Sequence, residues 1–178
     1  LYYTDVDHYD PFGSKPASDL IDYAFEVVNA VHEDGKKEAL AYYNDILRKH
    51  LANIGVLSQA IVLTREHKEL GDLDHLVNIR KRLLANVERS GSGLSLSDAY
   101  DVITMDEELF LFGYLGLEVM HTENVQEGRT YYNMHSVYHP ETNNAFTLFV
   151  NINKPMHFLE KQRRLREESQ NPAGIERF

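Results

Sequence analysis

The chain has 178 residues, 18 Lys and Arg against 28 Asp and Glu, and 43% apolar side chains, which suits one globular domain or two small ones. A formal charge of −10 disfavours nucleic acid, whose phosphates are held by Lys and Arg, and no apolar run approaches the roughly 20 residues that cross a bilayer. With no cysteine, disulfides, thiolate metal ligands and thiol nucleophiles are excluded.

The first residue is Leu1, not Met, and no basic stretch leads into an apolar one, so the sequence reads as a processed or trimmed chain. Residues 1–16 form an irregular lead-in, because Asp10 before Pro11 is pushed away from helix and Gly13 permits a turn. Ser18 then has N-cap chemistry. Leu20, Ala24, Val28 and Val31 share one helical face, which predicts a first helix ending near Asp34-Gly35. A second is predicted over Lys36 to Leu51, carried by Leu40, Tyr43, Leu47 and Leu51. A third runs over Ile54 to Leu70, and Gly71-Asp72 separates it from a fourth over Leu73 to Arg89. The two breaks lie 37 residues apart, near the ~34-residue period of tetratricopeptide helix pairs. Ala60, Leu63, Gly71 and Asp72 fit that pattern approximately, and Arg80 stands where a large apolar residue is usual.

Ser90-Gly91-Ser92-Gly93 punctuates the chain, and the periodicity changes after it. Tyr100 to Met105 reads as a strand. Thr104 and Glu107 have capping-box spacing, which starts a short helix over Glu107 to Tyr114 stopped by Gly116. Leu117 to Val119 suggests a further strand, and Arg129 to Val137 another. Ala145 to Ile152 alternates, with Phe146, Leu148, Val150 and Ile152 on one face, so the last two runs read as a hairpin. Lys161 to Glu168 reads as a charged helix, and the tail frays. The expected fold is α+β: antiparallel helical pairs over 1–90, a small antiparallel β-rich subdomain over 91–160, and a charged helix with a tail over 161–178. Residues 91–152 carry nine acidic side chains and one basic one, Arg129, so an anionic ligand has little to hold it there and a basic partner fits better.

Gly93, Asp98-Ala99-Tyr100-Asp101-Val102-Ile103, Asp106-Glu107-Glu108, Leu115-Gly116-Leu117, Tyr131 or Tyr132, and Phe149-Val150-Asn151-Ile152-Asn153-Lys154-Pro155 form a succession with a family counterpart. Together with Leu1-Tyr2-Tyr3 and Tyr9-Asp10-Pro11-Phe12, it resembles an uncharacterised domain-of-unknown-function family common among secreted proteins of gut Bacteroidota. The resemblance spans Leu1 to about Leu159. It implies a tetratricopeptide-like helical half, a small β-rich cap, and export through a removed signal to a secreted, periplasmic or cell-envelope location. It brings no activity, cofactor or catalytic residue.

Two function classes remain. The first is a non-enzymatic binding or assembly module for a protein or peptide. Its contact surface would draw on the eleven tyrosines, with Tyr43, Tyr100, Tyr131, Tyr132 and Tyr138 as the candidates, since Tyr supplies large amphipathic contact area. The second is a metal-dependent hydrolase acting on a neutral or cationic substrate, with His135, His139 and Glu141 as ligands. Residues four apart on a strand stand about 13 Å from one another, so that site needs the chain to turn. Asp106, Glu107 and Glu108 read as helix-start capping, not as an acid–base group. Nothing in the sequence calls for a cofactor.

Overall fold

A computed structural model describes residues 8–170; the expectations for residues 1–7 and for the tail beyond Gln170 lie outside them. Four helices come first: α1 (Ser14–Asn29), α2 (Glu33–Lys49), α3 (Ile54–Glu66) and α4 (Leu73–Glu88). α1 starts four residues before Ser18. Gly13 adopts φ 64° and redirects the lead-in, and the Asp10 carboxylate accepts the N–H groups of Phe12 (2.9 Å) and Lys15 (3.4 Å), taking the capping role that Ser18 was expected to fill. The break before α2 falls at Ala30, not at Asp34-Gly35. Glu33 and Asp34 lie in the first turn of α2, where carboxylates complement the positive end of the helix dipole. Asn53 and Asp72 cap α3 and α4, accepting from Val56 N–H and His75 N–H, both at 3.0 Å.

α1 packs on α2 and α3, and α3 packs on α4. Leu20, Ala24 and Val27, Ala39 and Tyr43, and Val56, Leu57, Ala60 and Ile61 form a first core in which the alanines admit close helix approach.

The second half comprises β1 (Tyr100–Asp101), α5 (Glu107–Tyr114), β2 (Glu118–Glu127), β3 (Thr130–His139), β4 (Asn144–Asn151) and α6 (Asn153–Gln170). The molecule is α+β, with one sheet in the order β1-β4-β3-β2. β2, β3 and β4 pair antiparallel, as expected. β1 pairs parallel with β4 through Tyr100↔Val150 and Asp101↔Asn151, so the sheet is mixed. The strand expected to reach Met105 stops at Asp101, because the backbone of Ile103 and Thr104 is drawn into the cap of α5. α6 begins eight residues ahead of Lys161, its start marked by Asn151 Oδ1 accepting Asn153 N–H (3.0 Å).

α5 lies on one sheet face and against α3 and α4 on its other side. Leu111 and Phe112, Val137, Leu148 and Val150, and Ile54, Leu84 and Val87 make a second core there. Gly55 serves this junction: a Cβ would overlap the Asp106 carboxylate that sits over the first turn of α3. The lead-in is tied to the same place, with Tyr9 hydroxyl donating to Ile103 C=O and Met105 N–H donating to Pro11 C=O (2.7 Å).

Candidate functional site

Register places Thr122, Asn124 and Gln126 of β2 beside His135, Asn133 and Tyr131 of β3 on the sheet face covered by α5. Glu108, in the first turn of α5, points into that face. Its carboxylate accepts from Asn133 Nδ2 (2.8 and 3.0 Å) and from His135 Nε2 (3.0 Å). A carboxylate only accepts, so Nε2 carries a hydrogen, and Thr122 hydroxyl shares a second hydrogen bond with His135 Nδ1 at 2.9 Å. Asn124 Nδ2 donates to Asn133 Oδ1 (2.5 Å), and the Phe112 ring meets the His135 ring edge to face at 4.7 Å. His135 is 1% exposed, Asn133 6% and Glu108 8%, so these three are buried, while Thr122 and Asn124 close the network from the exposed strand β2.

The neighbouring Glu107 does the capping. Its carboxylate accepts Ile103 N–H (2.6 Å) and Thr104 N–H (3.4 Å), and burial pushes its pKa up to about 7. Burial also raises the Asp106 carboxyl, against the hydrogen bond it accepts from Thr104 hydroxyl (2.7 Å).

Beside the polar cluster lies a cleft of about 650 Å³. Phe12, Met105, Tyr131, Tyr132, Met156 and Leu159 give it apolar walls, and the amides of Asn124, Gln126 and Asn133 give it polar groups. The cleft adjoins β2, the longer of the sheet's two edge strands. Every residue of β2 except Val125 is exposed, and neither Lys, Arg nor Pro occurs in its ten residues. A bulge at Met120, between Val119↔Val137 and His121↔Ser136, is its one irregularity of register.

The expected contact tyrosines separate. Tyr43 is fully buried in the first core and Tyr100 belongs to the second, so neither lines a surface. Tyr138 reaches the β3–β4 turn, donating to Asn143 Oδ1 at 2.8 Å. Tyr131 and Tyr132 do wall the cleft, and Tyr131 hydroxyl donates to Glu160 Oε1 at 2.6 Å. His135, His139 and Glu141 are not brought together. Both ring nitrogens of His135 are engaged by Glu108 and Thr122, His139 ends β3 opposite Asn144, and Glu141 is exposed in the following turn. Among the described residues no group of three His, Asp or Glu side chains is placed to share an ion. Sequence reasoning missed Glu108, Thr122 and the β2 edge. The one available signal was the row of short polar side chains at Thr122, Asn124 and Gln126.

No described helix is long and apolar enough to cross a membrane. The chain matches no protein-family model, no curated protein and no solved structure.

Proposed function

We propose that this protein is a non-enzymatic binding module that takes up a protein or peptide partner as an added strand on the free edge of β2. The observation that carries the reading is the edge itself: ten residues long and exposed, with neither Lys nor Pro, and with its one bulge at Met120 leaving His121–Glu127 in regular register. An added strand gains backbone hydrogen bonds, and the cleft walled by Tyr131 and Tyr132 accepts side chains from it. The acidic surface favours a protein over a nucleic acid partner. A location outside the cytoplasm is part of the same proposal, and its one support is the resemblance to secreted proteins of unknown function.

A selection from a random nonapeptide library on the immobilised protein tests it. Selected peptides are expected to shift the backbone amide resonances of β2 and of the cleft residues. A selection that returns no binder, or only binders that shift α1–α4, overturns the reading.

One observation favours a second reading. The line Thr122, His135, Glu108 has the order of nucleophile, base and orienting carboxylate, which suits a hydrolase without a metal. Thr122→Ala decides it: hydrolysis of chromogenic esters present in the parent and lost in the variant supports it, and inactivity of the parent ends it.

A further inference from the structure

We infer that β2 selects a strand carrying Lys or Arg at two positions four residues apart with an apolar residue midway between them. The inference rests on the strand-addition reading and names the chemistry of the partner. Register puts Glu118, His121, Glu123, Val125 and Glu127 on the sheet face away from α5, and leaves neutral Thr122, Asn124 and Gln126 on the other. On the first face the exposed carboxylates of Glu118, Glu123 and Glu127 alternate with His121 and the half-buried Val125.

In a strand laid beside β2, side chains on one face stand opposite their counterparts at every second residue. Cations opposite Glu123 and Glu127 therefore fall four residues apart, about 13 Å, and the residue between them meets Val125. Among the described residues the exposed His121 hydrogen-bonds Glu123 at 3.0 Å, and no Lys or Arg is within ion-pair distance of Glu123 or Glu127. Both carboxylates are thus available to an incoming charge. A second copy of β2 is a poor occupant in the register that pairs Val125 with Val125, because Glu123 of each copy then faces Glu127 of the other. Backbone pairing supplies affinity without regard to sequence, and the charges supply the choice.

The palindromic nonapeptide Ser-Thr-Lys-Thr-Val-Thr-Lys-Thr-Ser is the probe, since it offers the same pattern in either strand direction. The controls are the peptide with both Lys replaced by Glu and the charge-reversed protein Glu123→Lys/Glu127→Lys, whose substitutions are on exposed positions. The Lys peptide is expected to bind with shifts on β2 amides, at least about tenfold more tightly than the Glu peptide, with the preference reversed in the variant and weakened by salt. Equal binding of both peptides at β2, or unchanged binding of the Lys peptide by the variant, overturns the charge code and leaves strand addition standing. Failure of both peptides while library-selected strands still bind β2 also overturns it. Failure of every strand at β2 overturns the binding reading beneath it, and concentration-dependent dimerisation through β2 assigns the edge to a second copy.

Discussion

Glu107 is 2% exposed, and its carboxylate is held by two backbone N–H groups, with Asp106 and Lys154 as the charges that act on it. Burial outweighs those hydrogen bonds, so the folded chain holds a proton that the unfolded chain, near the ordinary value of 4.5, releases earlier. The linked stability is therefore fully present below about pH 4.5 and is lost as the pH rises through about 7. Between pH 5 and 8 the parent is expected to lose up to about 3 kcal/mol relative to Glu107→Gln, read as the difference in urea midpoints. The Thr104–Glu107 spacing made this cap legible, but only half of the reciprocal pair forms. Glu107 reaches back to Thr104 N–H, whereas Thr104 hydroxyl turns to Asp106. Glu108 was not legible, because Asn133 and His135 lie 25 and 27 residues away in the chain.

α5 is fastened to the sheet by one buried ionisable side chain on the helix and a row of polar ones on β2 and β3. Removing one partner strands the other without water. His135→Leu and Glu108→Leu are each expected to cost about 3–5 kcal/mol in chemical denaturation, and the double variant clearly less than their sum. The helices were readable from their apolar stripes, with α5 placed to the residue, because one side of each is buried. The sequence predicts strand only over Leu117 to Val119 where β2 has ten residues, since a strand whose side chains are almost all exposed shows no alternation of apolar and polar positions. The start of α2 was displaced because Asp34-Gly35 has turn chemistry that the helix dipole turns to advantage. The edge strand on which the proposed function rests is therefore the element that composition hides best.

The sequence divides near residue 90, yet α3 and α4 contribute to both cores: Leu57 and Leu76 to the first, Ile54, Leu84 and Val87 to the second, with Leu83 touching each. Two layers joined through shared helices cannot loosen independently. Thermal unfolding followed in the far ultraviolet for the helices and in the near ultraviolet for the tyrosines is expected to give one coincident transition, and Leu84→Ala to lower both midpoints together.

The parallel pairing of Tyr100 with Val150 has a consequence in time. β2, β3 and β4 are successive and joined by short turns, so their ladders close over small chain separations and form early. The two residues of β1 must wait until β4 exists and then bring together ends some fifty positions apart, against the entropy of everything between them. Loop-closure entropy therefore predicts that β1 docks after the β2–β4 ladders have closed.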